Sequence, residues 1–352
     1  MPTLAPSQLE VFARQLLAAG GASADEAQIV AASLVDANLK GYDSHGVMRI
    51  PYYVQAIKEG EVAPGEQLTI LDEGPSRVVA DANWGFGQVQ AVRLLKMLAS
   101  RAHSEGLAIG TMTHSGHIGR LGEYCEMAAA EGLASMLMVN SHGAAVRVAP
   151  PGGKAPRLST NPLAIGVPNG ASPLVLDFST SATAEGKVRV KKIAGQQCPE
   201  GWLIDSDGKP TCDPNSLYGN PPGSILPMGG AQAYKGFGLG IMIEILTGAL
   251  SGGVCARPAP YPKKGNCVFI LLIDPARFGG AEHFQAEVAQ LSDYVKSCPR
   301  VEGCDEILLP GDPERRLAAT RRQEGITLDD ENWKALVKLA NSLGVFAPAT
   351  AS

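Results

Sequence analysis

The sequence predicts an α/β fold in which helical N- and C-terminal segments pack together around a continuous α/β middle. Three observations carry that reading. Apolar side chains recur at helical spacing in residues 7–41 and 328–343. From residue 76 onward, short apolar runs alternate with longer amphipathic ones, the rhythm of strands and helices. The glycine fingerprints of the standard nucleotide folds are missing: "GFGQVQ" and "GFGLGI" both lack the third glycine of G-x-G-x-x-G, and no G-x-x-x-x-G-K-[ST] occurs. A standard dinucleotide or P-loop sheet is therefore disfavoured. The domains expected are a helical one, 1–75 plus 310–352, and an α/β one, 76–309, with a helical insertion around 115–135.

Taken in order, residues 7–41 read as two helices. "SQLE" and "SADE" each fit a capping box, with Leu9, Phe12 and Leu16 and then Val30, Leu34 and Ala37 facing inward. "RVVADA" is a strand, and "GFGQVQAVRLLKMLASRAHSEG" is a helix with Val89, Val92, Leu95 or Met97, and Ala99 inward. "LAIGTMTH" and "LASMLMVN" are strands flanking the helix "GRLGEYCEMAAAEG", whose Leu121, Tyr124, Cys125, Ala128 and Ala129 share a face. Further strands are expected at "NPLAIGVP", "LVLDFS" and "NCVFILLID", with "DSDG" (205–208) turning between two short ones. Helices are expected at 235–251, about 280–297 and, between a Thr327 cap and a Gly344 stop, 328–343.

Composition narrows the function classes. The chain has 352 residues, 45% of them hydrophobic, enough for a large core. A formal charge of -5 with no long like-charge run points away from nucleic acid and membrane surfaces. Seven cysteines, none in a C-x-x-C pair, indicate neither a disulfide framework nor a zinc ribbon and suit a reducing compartment. The N-terminus lacks the pattern of a signal peptide. The apolar run "GFGLGIMIEILTGALSGG" carries Glu244 and reads as a buried core helix, so a cytoplasmic protein is expected.

Several segments carry candidate chemistry, and each also has an ordinary structural reading. In "DSHGVMR", Ser44 suits an N-cap, which places His45 and Arg49 on one face of a helical turn; Pro51 demands a kink or a second helix start. An imidazole that moves a proton beside a guanidinium that forks onto a carboxylate suits a 2-hydroxy or 2-keto acid; on the pattern alone a capped helix with a surface His and Arg is the more ordinary reading. In "THSGHIGRLG", His114, His117 and Gly119 lie between a strand and a helix, a place for an acid/base, a cofactor contact, or a metal with His142 or His45 as third ligand. No carboxylate adjoins that H-x-x-H spacing, and a plain glycine-rich loop is the simpler alternative. Asp177 at a strand end would hold a ribose or cap a helix, and Lys235 among glycines would meet a phosphate or only water. "LLPGDPE" reads as a turn before a helix.

The order of the pieces decides between these alternatives. "DSHGVMRIPYY", "HSGHIGRLGEY", "STNPLAIGVP", "LVLDFSTSATAEGKV", "GGAQAYKGFGLGIMIEILTGALSGG" and "LLPGDPE" together resemble the non-Rossmann malate/L-lactate dehydrogenase family over roughly residues 5–345. "HSGHIGRLGEY" and "EGWLIDSDGKPTCDP" resemble its hydroxycarboxylate dehydrogenase branch. The resemblance implies a mainly antiparallel cofactor sheet, NAD or NADP, hydride transfer at C2 of a small 2-hydroxy or 2-keto acid, and a homodimer. It further implies Ser44, His45 and His117 as catalytic residues and Arg49, Tyr53, Ser141 and Thr160 at the substrate. For the cofactor it implies Gly119, Asp177, Phe178, Ser179, Lys235, Pro310, Gly311 and Asp312, with no metal. Imine-reducing members of the family it resembles carry an Asp just after the glycine where this chain has Gly186-Lys187, which favours a ketone over a cyclic imine. Two other readings stand beside this one: reduction of a cyclic imino acid, and a metal hydrolase built on His114, His117 and His142.

Overall fold

The computed structural model describes residues 1–349; the end of the expected C-terminal segment, 350–352, lies outside the described residues. The chain begins with β1 (Thr3–Leu4), α1 (Pro6–Ala19) and α2 (Ala24–Leu39), makes two 3-10 turns (Asp43–His45, Val47–Arg49), and enters α3 (Ile50–Lys58). The middle runs β2 (Thr69–Gly74), β3 (Arg77–Asp81), α4 (Gly87–Glu105), β4 (Leu107–Ser115), α5 (Leu121–Ala130), β5 (Ala134–Asn140), β6 (Pro162–Val167), β7 (Leu174–Ser179) and α6 (Glu185–Ile193). After the short strands β8 (Leu203–Ile204), β9 (Pro210–Thr211) and β10 (Ser224–Ile225) come α7 (Ala233–Glu244), β11 (Asn266–Ile273) and α8 (Ala281–Lys296). The chain closes with α9 (Asp312–Glu324), β12 (Ile326–Thr327) and α10 (Asp330–Leu343).

The central sheet has seven strands in the order β2-β3-β4-β11-β5-β6-β7. Only β3 and β4, joined by α4, run parallel; every other neighbouring pair is antiparallel. The mixed, mostly antiparallel α/β fold expected from the sequence is the fold observed. Helices α4 and α5 bury one face of the sheet, around Leu94, Leu98, Met112, Tyr124, Leu137 and Ile270, and α7 lies on the other, around Met138, Leu163, Ile243 and Phe269. A separate core joins the two chain ends. Phe12, Leu16 and Leu34 pack there with Ile50, Ala318, Leu336 and Ala340, and β1 pairs with β12.

Local grammar explains most element ends and corrects some expectations. The Ser23–Glu26 capping box of α2 is present, each side chain reaching the other's backbone N–H. The one expected from "SQLE" is not: α1 starts earlier, with Pro6 at its first position, where a missing N–H costs nothing. Asp329, not Thr327, caps α10, and Gly344 (φ 71°) ends it. In α4 the fully buried residues include Leu94 and Leu98, while Val92 and Met97 are only partly covered. Glu244, the one carboxylate in the long apolar run, is buried and accepts from Asn140 Nδ2 (2.9 Å), Asn161 Nδ2 (2.7 Å) and the Ala256 N–H (2.8 Å). That anchor ties together the strand ends leading to Ser141 and Thr160. Among the described residues no helix is long and apolar enough to cross a membrane.

Candidate active site

The segment after α2 cannot continue as helix because Gly41 (φ 82°) turns the chain, and Asn38 then organises the two 3-10 turns. Its Oδ1 accepts from the Val47 N–H (2.9 Å) and its Nδ2 donates to Asp43 Oδ1 (2.7 Å). Gly46 sits so close to this amide that a Cβ would overlap it. Ser44 therefore caps no helix, contrary to expectation, and its Oγ pairs with His45 Nδ1 at 3.0 Å. Arg49 Nε donates to the Ser44 carbonyl (2.7 Å), which fixes the guanidinium while leaving its terminal nitrogens for a ligand. Pro51 lies at the second position of α3, the restart that its ring requires.

Opposite this turn stands His117, in the β4–α5 loop. Its Nδ1 accepts from the Gly119 N–H (3.3 Å) and lies 2.8 Å from Tyr53 Oη, which in turn accepts from Gln88 Nε2 (2.9 Å). The two imidazoles stack, ring centroids 5.6 Å apart and planes 25° from parallel. They line, with Arg49, Tyr52, Ser141, Arg147, Thr160, Lys264 and Asn266, a cavity of about 400 Å³. A second cavity of about 850 Å³ adjoins it, and both touch Ser44, His45, Gly119, Thr160 and Gly186. His45 thus belongs to the seam between a small chamber and a cofactor-sized one.

Burial pushes the His45 imidazole down to about 3, with the Arg49 and Arg120 guanidiniums adding to the effect. Burial likewise holds His117 well below its usual range, helped by Arg49 and His45. Burial moves the Tyr53 phenol up to about 12, so it remains a donor. Both imidazoles are neutral near pH 7 in the ligand-free protein.

Most of the expected residues converge here. Ser44, His45, Arg49, His117, Ser141 and Thr160 line the small cavity; Gly119, Asp177, Phe178 and Ser179 line the large one. Asp177 accepts from the Gly122 N–H (2.7 Å) at the start of α5, and its burial pushes it up to about 6. Tyr53 is buried behind His117, and Tyr52 walls the cavity in its place. Lys235 is exposed at the start of α7, its Nζ over the Tyr234 ring at 5.9 Å. Pro310, Gly311 and Asp312 stand beside the large cavity without lining it. The Pro310 carbonyl accepts from the Val175 N–H (3.2 Å), Gly311 (φ 92°) begins α9, and Asp312 pairs with Lys296 (3.1 Å) and Arg315 (2.5 Å). Pro313, Glu314 and Leu317 reach the cavity from that segment.

Sequence reading missed Gln88, Arg120, Arg147, Lys264 and Asn266. Only Gln88 left a trace, as a polar residue on the inward face of α4. The large cavity fits a polar cofactor: the buried Thr183 Oγ1 on its wall has no hydrogen-bond partner, and Lys187 and Lys191 flank it. The proposed metal trio is not assembled. His114 Nδ1 is held by Asp81 (2.9 Å), His142 Nδ1 meets Cys267 Sγ (3.0 Å), and no group of three His, Cys, Asp or Glu among the described residues could hold a metal.

The sequence and the fold are similar to those of known proteins. A sequence model described as malate/L-lactate dehydrogenase matches residues 4–337. The chain is 40% identical to an L-lactate dehydrogenase of Cupriavidus necator, over 96% of this chain and 97% of that one. Among solved structures, malate dehydrogenase from Pyrococcus horikoshii superposes with a TM-score of 0.89 at 31% identity, covering 98% of this chain and 97% of that one. The delta1-piperideine-2-carboxylate reductase of Pseudomonas syringae pvar. tomato gives 0.82 at 30% identity, covering 97% and 100%. With its fold and nearly its whole length so matched, the chain belongs to the malate/L-lactate dehydrogenase family.

Proposed function

We propose that the protein is a cytoplasmic, homodimeric NAD- or NADP-dependent oxidoreductase that interconverts a small 2-hydroxy acid and its 2-keto acid. The observation that carries this reading is Arg49, anchored by its Nε beside two neutral imidazoles in a small cavity that adjoins a cofactor-sized one. Arg49 would take the substrate carboxylate through its two terminal nitrogens, a shielded bidentate pair of a few kcal/mol. That places C2 and its oxygen among His45, His117 and the shared wall. The nicotinamide supplies the hydride for C2, and the chain's own groups orient the carbonyl and balance its charge with a proton. Phosphates of the cofactor would meet Lys187 and Lys191. The helical core (1–75 with 310 onward) supplies Arg49 and His45 to the substrate, and 76–309 supplies most of the cofactor wall. All seven cysteines are free thiols, which supports a reducing compartment.

A ketone is preferred to a cyclic imine because the residue after Gly186 is Lys187, which lines the large cavity beside Ser44 and His45, so no acid joins the Ser44–His45 pair from that position. The test is a spectrophotometric screen of pyruvate, oxaloacetate, phenylpyruvate, hydroxypyruvate, sulfopyruvate and cyclic imines with NADH and NADPH. Oxidation of either cofactor by one of the keto acids is expected. Turnover confined to imines would give the chain the reductase activity instead.

A further inference from the structure

We infer that Cys198 and Cys212 are a reversible disulfide site: a peroxide joins their sulfurs, and the cross-link stiffens the α6 wall of the cofactor-sized cavity. The cross-link follows from the geometry of the pair; its effect on cofactor binding rests on the dehydrogenase reading.

The pair is set apart by what joins it. The Cys198 N–H donates to the Cys212 carbonyl at 2.7 Å. Residues bonded in this way across a ladder stand about 5.5 Å apart at Cα, inside the roughly 4.4–6.8 Å that a disulfide spans. The β8–β9 ladder, Leu203 with Thr211 and Ile204 with Pro210, already folds the segment between the two cysteines back on itself. Burial holds the Cys198 thiol above its ordinary range, and Cys212 adds to the effect as a neighbouring sulfur does. Among the described residues no other two cysteines share a backbone hydrogen bond. Cys125 and Cys267 are buried in α5 and β11. Cys255 Sγ donates to the Glu244 carbonyl (3.3 Å), and Cys298 and Cys304 to the carbonyls of Pro299 (3.5 Å) and Glu306 (3.4 Å).

The two thiols differ in access. Cys212 is half-buried, whereas Cys198 is 4% exposed, so a peroxide meets Cys212 first. Its O–O bond breaks, one oxygen stays on Cys212 as a sulfenic acid, and the other leaves as water with the thiol proton. The Cys198 sulfur then attacks the Cys212 sulfur. The S–S bond forms, the S–OH bond breaks, and the hydroxyl departs as water with the Cys198 proton. Each thiol loses one electron and the peroxide accepts both. A small dithiol reverses the bridge by exchange.

The bridge acts on the least anchored wall of the site. α6 buries only Gly186 and Val188, yet Lys187, Val190 and Lys191 line the large cavity. Its C-terminal end leads straight to Cys198: the Gln196 N–H donates to the Lys191 carbonyl (2.9 Å), and Lys191 Nζ donates to Gln196 Oε1 (2.9 Å). Val188, Cys198, Leu203 and Leu217 share one small core. Trp202, inside the loop that the bridge closes, lines the same cavity. A closed bridge therefore holds the end of α6 and Trp202 in place, which lowers the ordering cost of binding there.

The full-length protein, reduced and then exposed to hydrogen peroxide, tests this. It is expected to lose two of its seven thiols, with non-reducing peptide mapping showing one linked pair, Cys198–Cys212. The KM for NADH or NADPH is expected to fall by roughly threefold, to return with dithiothreitol, and to stay unmoved in peroxide-treated Cys212→Ser. Cys198→Ala gives the same comparison should Cys212→Ser fail to fold. A Cys212 sulfinic acid without the link, or a link between Cys298 and Cys304 in its place, overturns the site. A Cys198–Cys212 link that leaves the cofactor KM unchanged overturns its action on the cavity. If neither keto acids nor imines are turned over, the dehydrogenase reading fails while the peptide map still decides the disulfide.

Discussion

Arg49 serves two ends, and both are measurable. Its guanidinium is placed for a carboxylate, so Arg49→Ala is expected to raise KM by roughly 10²-fold or more, in line with loss of a charge-assisted bidentate pair. The same positive charge lowers the pKa of His45 and His117. In the proposed reduction the imidazole that gives up the proton must first hold it, so the rate falls as pH rises through its pKa. Taking away Arg49 raises that pKa, and the fall in kcat/KM is expected to move to higher pH in Arg49→Ala. In the native protein, bound substrate screens Arg49, and the fall in kcat is expected at higher pH than the fall in kcat/KM, which reports the free protein. Coincident limbs in the two profiles would show that Arg49 does not control the proton carrier. His45 and Arg49 were legible as a pair because they lie four positions apart, although two 3-10 turns joined at Gly46, not one helical turn, bring them together. The hydrogen bonds that set His117 were not: Tyr53 lies 64 positions away and Gln88 reaches it only through Tyr53.

Among the elements, α5 carries the clearest stored cost. Glu123 is largely covered, donated to by Ser33 Oγ (2.6 Å), and its burial, with Asp36 nearby, moves its carboxyl up to about 7. A carboxyl whose folded pKa is raised holds a proton in the folded state that the unfolded chain has already lost, so it destabilises the protein above its unfolded pKa, fully so above about 7. Glu123→Gln, which keeps the hydrogen bond and removes the charge, is expected to stabilise the fold at pH 8 by up to roughly 3 kcal/mol. That gain should vanish at about pH 4, where both states are protonated. Equal effects at the two pH values, measured by urea unfolding, would rule the charge out as the cause. The same α5 was easy to find in sequence because its apolar residues keep a 3.6 period. β2 and α6 were not. β2 is an edge strand with most residues exposed, and α6 buries only Gly186 and Val188, so neither carries a periodic apolar signal. α6 nonetheless forms one wall of both cavities.

Across the whole molecule, the site exists only where the helical core meets the sheet, and a buried charge network holds that seam. Arg120 Nη2 reaches Asp36 (3.0 Å) and Glu126 (2.7 Å), and Lys40 reaches the same two carboxylates (2.8 and 2.5 Å). Asp36 lies in α2 and Lys40 directly after its last residue, while Arg120 and Glu126 lie before and in α5, so the four charges stitch one core to the other. The Arg120 side chain is 1% exposed, and its removal leaves the half-buried Asp36 and Glu126 with Lys40 as their one remaining cation in this network. Arg120→Ala is therefore expected to cost up to about 3 kcal/mol, more than a surface pair would. The large cavity spans the same seam, from Lys40 and Tyr42 to Asp177 and on to Glu314. A cofactor bound there touches both cores and binds only when they are together, so at 100 times its Kd it should add about 2.7 kcal/mol. Saturating NADH or NADPH should then recover a large part of the stability lost in Arg120→Ala, read as the shift in thermal unfolding of the variant with and without cofactor. A variant that unfolds like the native protein would mean that apolar packing alone joins the cores. A variant that is weakened but gains nothing from either cofactor would place the cofactor somewhere other than this seam.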